Sequence, residues 1–344
     1  MARIAIAGAG LAGRLFAWAL SRAGHAVQVF DPADGPAPRF DGQGAAAFTA
    51  AGMLSPLAEQ ECGGAAVARL GWDSLALWPR IVAALPAAPR LRIAGSLLLA
   101  HGADRGAAAR SLARMPGAQA LAPAELRALE PALASGLLAW LLPGEGLIHP
   151  VEAMAALQAH AAGARWHWGR AVDDVLPGRL RLQDGTGIEA DWCIDARGLG
   201  ARPPLPLRGV RGEVVALRLA GHGLGRPLRL LHPRQRVYLV PRSEDELLLG
   251  ASEIESEDRS PVSLQTAVEL MAAAHSVLPA LAEARIERLD RNLRPALPDN
   301  LPFTHCEPGL LRLNGLYRHG WLLAPALVQR LLAASGLGDL EQHA

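Results

Sequence analysis

Short apolar runs alternate with glycine-rich turns at the start of the chain. Arg3–Ala7 is a short apolar run, a glycine-rich turn follows it, and an apolar stretch then continues to Leu20. Ala26–Phe30 is a second short run, and it is followed by Asp31. Short apolar runs bounded by glycine are typical of buried strands, and the longer stretch between them is typical of a helix. The pattern predicts a strand, a turn, a helix and a second strand.

The glycines of this turn have the spacing Gly-x-Gly-x-x-Gly. Gly8 permits the tight turn, Gly10 lets the backbone approach a pyrophosphate, and Gly13 lets the helix pack closely on the strand. Asp31 follows about 20 residues later, where an acid accepts a hydrogen bond from a ribose hydroxyl. The alternative is a turn that binds no ligand. We predict a dinucleotide site, for FAD, NAD or NADP, formed by Gly8, Ala9, Gly10, Leu11, Ala12, Gly13 and Asp31.

Helices and strands alternate through the middle of the chain. Glycine and proline positions divide this region into short segments. We predict helices over 73–85 with Asp73 as N-cap and a kink at Pro79, and over 104–115, 123–130 and about 150–162. We predict strands over 92–100, 164–175, 179–183 and 187–192, and a buried strand from Trp192 that ends in a glycine-rich loop at Gly198.

The pattern changes after residue 208. The runs 210–219, 228–232, 236–241 and 246–251 are short and separated by turns, which is typical of an antiparallel sheet. A helix over 263–284 follows, with Ser263 as N-cap and Pro279 able to end it early. A strand over 309–314, a glycine loop and a helix from about Leu322 complete the chain. The predicted fold class is α/β, α+β overall, with a dinucleotide-binding part and an antiparallel part.

Composition excludes several classes of protein. The formal net charge of +1 gives no electrostatic reason to expect nucleic acid binding. The chain has no lysine, which excludes pyridoxal phosphate chemistry and Walker-type nucleotide hydrolysis. The three cysteines have no metal-ligand spacing, so we expect free thiols in a reducing compartment and no metal site. We expect no signal peptide and no membrane span, and therefore a cytoplasmic protein.

Nine separate segments of the chain have a composition and spacing that belong together. The segments are Gly8–Gly13, Ala50–Glu59, Gly146–Pro150, Cys193–Gly198, Val210–Val214, Tyr238–Arg242, Leu248–Ser252, Leu293–Pro295 and Tyr317–Pro325. Their order and spacing resemble the D-amino-acid oxidase superfamily of flavoproteins. Within that superfamily they are most similar to the glycine oxidases of thiamine biosynthesis.

The resemblance implies FAD as cofactor and two domains. An FAD-binding domain would comprise residues 1–80, 149–207 and 290–344, and an inserted antiparallel substrate-binding domain residues 81–148 and 208–289. The resemblance also implies substrate-binding roles for Arg294, Arg318, Tyr238 and Met53. Further cofactor-binding positions implied by it are Ala50, Ala51, Gly52, Met53, Leu54, Val172, Gly198, Arg318, His319, Gly320, Trp321 and Leu322.

The chemistry of these side chains suits an amino acid substrate. An arginine fork matches a carboxylate, which favours Arg294 over its alternative as a surface ion-pair residue. Tyr238, one of two tyrosines, can donate to a carboxylate, although a packed strand tyrosine is the alternative. The flavin carries the chemistry in this scheme, so no catalytic side chain is expected.

Some polar residues are assigned no catalytic role. We interpret His149 and His319 as loop structure, with flavin contact by His319 as the alternative. Glu253 and Glu255 are interpreted as solvated loop charges. The chain departs from the family where His319 replaces an amide residue and Leu316 a polar one. It departs again at Phe303–Cys306, and we expect all of these positions to lie around the flavin loop.

Three functions compete. The first is FAD-dependent oxidation of glycine or another small amino acid or amine to an imine. In this reaction O2 would be reduced to H2O2, and the imine would feed the thiazole of thiamine. The second is a D-amino-acid or secondary-amine dehydrogenase that passes electrons to a quinone or carrier. The third is a flavin- or NAD-binding protein without catalysis. A homo-oligomer is compatible with each.

Overall fold

A six-stranded sheet forms the first half of the molecule in the computed structural model, which describes residues 1–232 and 236–340. Its four inner strands and one edge strand are parallel, and the other edge strand is antiparallel to its neighbour. In spatial order the strands are β19 (Phe303–Glu307), β20 (Leu310–Asn314), β13 (Trp192–Asp195), β1 (Arg3–Ala7), β2 (Ala26–Asp31) and β9 (Arg165–Trp168).

Four helices and a smaller sheet cover this sheet. The helices are α1 (Leu11–Arg22), α3 (Pro56–Ala83), α6 (Pro150–Ala159) and α8 (Gly320–Ser335). Helix α1 packs against α6 and α8, and α3 packs against α8. A second apolar cluster joins the sheet to a three-stranded antiparallel sheet. Its strands are β10 (Val172–Leu176), β11 (Arg179–Leu182) and β12 (Gly187–Glu189).

An eight-stranded sheet forms the second half of the molecule. All its neighbouring strands are antiparallel except one parallel pair, β15 with β5. In spatial order they are β18 (Arg285–Ala296), β14 (Arg208–Arg218), β17 (Glu246–Gly250), β16 (Arg236–Pro241), β15 (Leu228–Leu231), β5 (Ser96–Ala100), β7 (Leu138–Leu142) and β6 (Gln119–Leu121).

Helices and a small sheet complete this half. Leucine, valine and alanine of α7 (Leu264–Val277) pack with the buried face of the eight-stranded sheet. Two short helices, α4 (Arg105–Leu112) and α5 (Pro123–Leu129), connect its strands. The remaining elements are α2 (Ala46–Thr49) and the three-stranded sheet β3 (Met53–Leu54), β8 (Gly146–Ile148) and β4 (Leu91–Ile93).

The architecture confirms the predicted fold class, whereas several element boundaries were wrong. Asp73 does not cap a helix, because α3 begins at Pro56, is interrupted at Gly64 and runs through Pro79. The run 164–175 contains two strands that belong to different sheets. Ser263 does cap α7, its hydroxyl accepting from the Thr266 N–H at 3.1 Å, and the helix ends before Pro279.

The two-domain division remains a prediction. Strand β18 crosses the predicted boundary at residue 290 and pairs with β14 along its length. Residues 290–296 are therefore part of the eight-stranded sheet, although the prediction assigns them to the FAD-binding domain. Within 1–232 and 236–340, no helix is long and apolar enough to cross a bilayer. Cys62, Cys193 and Cys306 are free thiols, as predicted.

Candidate active site

One cavity of about 1040 Å³ runs between the two large sheets. Its volume of about 1040 Å³ lies just above the ~300–1,000 Å³ typical of small-molecule sites. The glycine turn after β1 lines one end, and the loop before α8 lines the other together with strands of the eight-stranded sheet. We call these the dinucleotide end and the substrate end.

Glycines shape the dinucleotide end by close backbone contact. Gly8 has φ +100°, and a Cβ there would lie 2.5 Å from the Ala196 carbonyl oxygen. A Cβ on Gly13 would overlap the Gly8 carbonyl, which explains the close contact between α1 and the turn. A Cβ on Gly10 would meet nothing within 4 Å, so this residue faces open space in the cavity. The three positions have the geometry expected of a phosphate-binding turn.

Asp31 lies at the end of β2 and lines the cavity. Its Oδ2 accepts from the Ala9 N–H at 2.6 Å and its Oδ1 from the Ala33 N–H at 2.9 Å. An ionised carboxylate offers about four acceptor positions, so two remain for a ligand. Asp31 therefore holds the glycine turn in place and can still accept from a ribose.

Sequence reasoning missed Arg14 in this region. Its side chain is buried and donates to the carbonyls of Ala9, Met154 and Pro36. The guanidinium also lies 5.3 Å from the ring centre of Phe48. Burial lowers the pKa of Arg14 to about 10, against the opposing effect of Asp31. Its signal in the sequence was a charged residue inside the otherwise apolar stretch that continues to Leu20.

The segment Ala50–Leu54 crosses the middle of the cavity. Gly52 has φ +73°, and a Cβ there would overlap the Ile148 carbonyl. The segment is held by the Ile148 N–H, which donates to Gly52, and by Arg242 Nη2, which donates to the Ala50 carbonyl at 2.7 Å. Leu54 is buried beneath the segment, whereas its other residues line the cavity.

The loop before α8 brings the helix N-terminus to the cavity. Tyr317 has φ +50°, which turns the chain so that Arg318 and His319 line the cavity and Gly320 begins the helix. The indole of Trp321 donates to the Ala47 carbonyl at 3.1 Å, which ties the helix to α2. The unpaired N–H groups of a helix start and its dipole favour negative charge on a ligand.

A row of residues across four strands forms the floor of the substrate end. Arg229 on β15 pairs with Tyr238 on β16. Tyr238 pairs in turn with Gly250 on β17, and Gly250 pairs with Val214 on β14. A Cβ on Gly250 would lie 2.6 Å from the Tyr238 hydroxyl. The glycine therefore leaves room for the phenol on the cavity face. Burial raises the pKa of Tyr238, so the hydroxyl keeps its proton.

Arg294 reaches the same space from β18. Its Nη1 and Nη2 donate to the backbone carbonyls of Arg211 and Ser252, at 3.3 and 3.1 Å. A Cβ on Gly212 would overlap this guanidinium, so Gly212 is what lets Arg294 lie flat on the sheet. The remaining N–H groups of the fork are available to a ligand.

Glu59, which sequence reasoning missed, links the elements around the substrate end. It lies in the first turn of α3 and is 8% exposed. Its carboxylate is 2.7 Å from Arg318 Nη2, 3.3 Å from Arg229 Nη2 and 3.5 Å from His319 Nδ1. Burial opposes ionisation, but Arg229 and Arg318 outweigh it and hold the pKa of Glu59 at about 2. Glu59 is therefore an anion that joins α3, the sheet and the α8 loop.

Burial lowers the pKa of His319 to about 4, so its ring is neutral at pH 7. His319 lines the cavity, so loop structure was an incomplete interpretation, and the position agrees with the alternative of flavin contact. Our interpretation of Glu253 as a solvated loop charge was incomplete for a similar reason. Glu253 lines the cavity, lies 3.2 Å from Arg318 Nη1 and is hydrogen-bonded to Tyr317. Glu255 pairs with Arg208 outside the cavity and is exposed, as predicted.

Most of the predicted site residues meet at this cavity. Gly13, Leu54 and Val172 do not line it, because Gly13 packs on the turn, Leu54 is core, and Val172 is buried beneath the six-stranded sheet. The predicted residues that line it are Gly8, Ala9, Gly10, Leu11, Ala12, Asp31, Ala50, Ala51, Gly52, Met53, Gly198, Tyr238, Arg294, Arg318, His319, Gly320, Trp321 and Leu322.

The positions that depart from the family lie in two places. Leu316 and His319 line the cavity, as expected of residues near the flavin. Phe303–Cys306 instead form most of the edge strand β19, away from the cavity lining. The expectation that this segment surrounds the flavin loop was wrong, because antiparallel pairing with β20 places it at the edge of the sheet.

The cavity fits FAD on structural grounds. The open space at Gly10, the free acceptor positions of Asp31 and the start of α1 suit the adenosine diphosphate part. The flat Ala50–Met53 segment and the start of α8 suit the flavin part. The two parts lie in one continuous cavity, as a cofactor with two ring systems requires.

Comparisons with known proteins agree with this geometry. A family model described as DAO, FAD dependent oxidoreductase, matches residues 3–334. A Rhizobium etli protein with the provisional name thiamine biosynthesis oxidoreductase ThiO is 38% identical over 97% of this chain and 98% of its own length. The bifunctional protein ThiO/ThiG of Nostoc is 30% identical over 88% of this chain, which spans 49% of that protein.

A solved structure gives the same result for the fold. The crystal structure of glycine oxidase from Geobacillus kaustophilus superposes with a TM-score of 0.82 at 28% identity, covering 100% of this chain and 98% of that one. The matches confirm the family resemblance found in the sequence and FAD as the cofactor. The chain belongs to the DAO family of FAD dependent oxidoreductases.

Proposed function

We propose that the protein oxidises glycine or another small amino acid or amine to an imine, with reduction of O2 to H2O2. The observation that carries this proposal is the position of the Arg294 fork beside Tyr238 in the same cavity as the FAD-type glycine turn. Such a pair suits the carboxylate of an amino acid. The names of the similar ThiO and glycine oxidase proteins support glycine as substrate and thiamine synthesis as the pathway.

The side chains of the substrate end then act by holding the substrate. Arg294 receives the carboxylate through its free N–H groups, and the Tyr238 hydroxyl donates to one carboxylate oxygen. Glu59 and Glu253 keep Arg318 at the cavity wall. Met53 lines the pocket beside them. FAD held in this cavity would supply the hydride-accepting chemistry, so the contribution of the protein's own residues is the orientation of the substrate and the charge around it.

The dinucleotide end would hold the cofactor by its backbone. The N–H groups at the start of α1 and the space at Gly10 would receive the pyrophosphate, and Asp31 the ribose. The α8 start, with Arg318, His319, Gly320, Trp321 and Leu322, would receive the flavin. Gly198 would lie beside it. Gly13, Leu54 and Val172 would act through packing alone.

Further parts of the proposal concern the setting of the enzyme. We propose that it acts in the cytoplasm, as a biosynthetic enzyme without a membrane-crossing helix in the described residues would. We also propose two functional domains divided as the sequence suggests, with β18 shared at their junction. A homo-oligomer is compatible with the exposed apolar side chains of α7 and β18, which are Leu264, Val268, Ile286 and Leu289.

Anaerobic reduction of the bound flavin tests the function. Glycine and sarcosine should bleach the visible flavin band of the holoenzyme, and air should restore it with release of H2O2. A flavoprotein that neither amine reduces would contradict the proposal. Reduction without oxygen uptake, but with transfer to a dye, would instead identify the dehydrogenase alternative.

A further inference from the structure

Arg14 is a charged side chain in the interior of the dinucleotide end. It lies in the first turn of α1, shortly after Gly10, and 1% of its surface is exposed. The residue also lines the cavity beside the glycine turn. An ionised group in such a position is costly unless other groups compensate its charge. The partners of Arg14 therefore show what its charge is available for.

The hydrogen-bond partners of Arg14 are neutral. Nε donates to the Ala9 carbonyl at 2.8 Å, Nη1 to the Met154 carbonyl at 2.7 Å and Nη2 to the Pro36 carbonyl at 3.1 Å. These bonds link the glycine turn to α6 and to the loop after β2. The carbonyl groups satisfy the N–H groups, but they leave the positive charge of the guanidinium without a counter-ion.

Three aromatic rings surround the same guanidinium. Its central carbon lies 5.3 Å from the ring centre of Phe48, 5.8 Å from that of Trp168 and 6.0 Å from that of Trp166. The face of an aromatic ring attracts a cation, and the attraction is stronger where water is excluded. The rings therefore help to keep Arg14 ionised in its buried position, although they carry no net charge themselves.

Asp31 and Arg14 hold the two polar groups of one residue of the turn. The Asp31 Oδ2 accepts from the Ala9 N–H at 2.6 Å, and the Arg14 Nε donates to the Ala9 carbonyl. Asp31 attracts the charge of Arg14, but its other oxygen accepts from the Ala33 N–H. Arg14 forms no ion pair within the ranges 1–232 and 236–340. Two opposite charges thus hold Ala9 without contacting each other.

The other arginines that line the cavity near this end are already engaged. Arg39 pairs with two aspartates of the loop after β2, and Arg197 pairs with the aspartate that ends β13. Arg259 belongs to the loop before α7, where it donates to the Gly42 carbonyl. Among the described residues, Arg14 is therefore the arginine next to the glycine turn whose charge no ion pair takes up.

An acid at the turn has opposite effects on two parts of a dinucleotide. Asp31 can accept from a ribose, but its negative charge repels a diphosphate received by the N–H groups at the start of α1. A positive charge at the same turn offsets this repulsion without competing for the ribose. Arg14 has the required position, because its Nε binds the carbonyl of Ala9, the residue before Gly10.

We propose that Arg14 is a cofactor-positioning residue, whose charge offsets that of Asp31 and strengthens the binding of the FAD diphosphate at the glycine turn. Arg14 acts through the turn that it holds, since its N–H groups donate to carbonyls. Its burial keeps the effect strong, because water and salt screen a covered charge less than an exposed one. The inference uses FAD as the cofactor and does not depend on which amine the enzyme oxidises.

Two ligands that differ in their phosphate groups test the effect of the charge. ADP and adenosine present the same base and ribose, but only ADP carries the diphosphate. Isothermal titration calorimetry on the full-length protein freed of FAD gives the ratio of the adenosine Kd to the ADP Kd. In R14Q we expect this ratio to fall about tenfold, because a positive charge near the phosphates is lost. R14K retains the charge and should keep the ratio within about threefold of wild type.

Arg22 provides the matched control for these variants. It belongs to the same helix and lies over the Trp18 ring, but it is exposed and stands in the last turn. R22Q should therefore keep the wild-type ratio within about twofold. Urea unfolding shows whether each variant is folded. If R14Q does not fold, R14M removes the same charge with an apolar side chain that fills the space among the three rings.

Two results would overturn the inference. A purely structural role of Arg14 would weaken the binding of ADP and adenosine equally, so that the ratio stays at its wild-type value in R14Q or R14M. A ratio that falls as far in R14K as in the uncharged variant would show that the charge is not the cause. Neither result bears on the proposed function, which the anaerobic reduction of the flavin tests separately.

Discussion

The dinucleotide end of the cavity is formed by the backbone of the glycine turn and the Asp31 carboxylate, all within residues 8–31. Charged side chains from distant parts of the chain form the substrate end instead. At the first, Gly8, Gly10 and Gly13 act by having no side chain. At the second, Glu59 and Arg318 meet although 259 residues separate them in sequence. The dinucleotide end therefore depends on the local conformation of one short segment, whereas the substrate end depends on contacts between residues far apart in sequence.

The two ends should therefore fail in different ways. A change at the glycine turn should act on cofactor binding and folding. A change among the charged side chains should act on substrate kinetics or on stability at particular pH values. The predictions below separate these two types of failure.

The largest effect is expected at Gly13. In G13V the side chain would overlap the Gly8 carbonyl, so we expect a loss of about 3 kcal/mol of stability and no bound flavin. Thermal unfolding and the flavin absorbance of the purified protein measure both. G10A is the matched control: its Cβ meets no protein atom, so folding should persist while FAD binding weakens about tenfold or more. Equal damage in the two variants would contradict the assigned roles.

The next effect concerns Glu59. Its pKa of about 2, against an ordinary value of 4.5, means that its ionised form stabilises the fold. Because the folded pKa is lowered, this contribution is complete above pH 4.5 and is lost as the pH falls toward 2. E59Q should lose about 3 kcal/mol at pH 7, and the difference from wild type should shrink below pH 4.5.

Denaturant unfolding at a series of pH values measures this loss. Glu189 provides the control, because its carboxylate is 69% exposed and lies 3.4 Å from the Arg179 guanidinium at the surface. E189Q should change stability by about 0.5 kcal/mol or less. An E59Q deficit that stays constant down to pH 2 would show that charge is not the cause.

A loss of substrate affinity is expected at Arg294. R294A removes the fork proposed to hold the carboxylate, so kcat/KM for glycine should fall about 30-fold or more. The flavin content should not change. R285A, an exposed arginine of the same strand, should alter kcat/KM about twofold or less. Wild-type kinetics in R294A would refute the assigned carboxylate site.

The smallest of these effects is expected at Gly212. In G212A the new methyl group would push the Arg294 guanidinium from its position on the sheet. We expect kcat/KM to fall about tenfold, through misplacement of a group that is still present. Gly106 in α4 is the control, because a Cβ there meets only the end of Arg110 at 3.7 Å. A crystal structure of G212A should show Arg294 displaced.

Several features could be read from the sequence because their causes are local. The glycine turn, the strands around it and the cap at Ser263 each depend on residues close together in the chain. Periodicity failed where a helix contains helix-breaking residues. Tertiary packing against α8 keeps α3 helical through Pro79, so the predicted start at Asp73 was wrong.

The substrate end was only partly predictable. The family resemblance pointed to Arg294, Tyr238 and Arg318, and the structure brings all three to one cavity. Glu59 and Glu253 were not assigned to the site, since an isolated carboxylate in a helix or a loop has no distinguishing pattern. Their significance comes from the arginines that approach them from other elements.

The sequence by itself determined the dinucleotide turn, the fold class, and FAD as the cofactor through family resemblance. Glycine conformations and hydrophobic periodicity are local properties, so they are present in the chain before it folds. Only the tertiary structure decided the charge of the substrate end. That charge depends on which carboxylate reaches which arginine, and pairing of this kind is fixed by contacts between β15, β16, β18, α3 and the loop before α8.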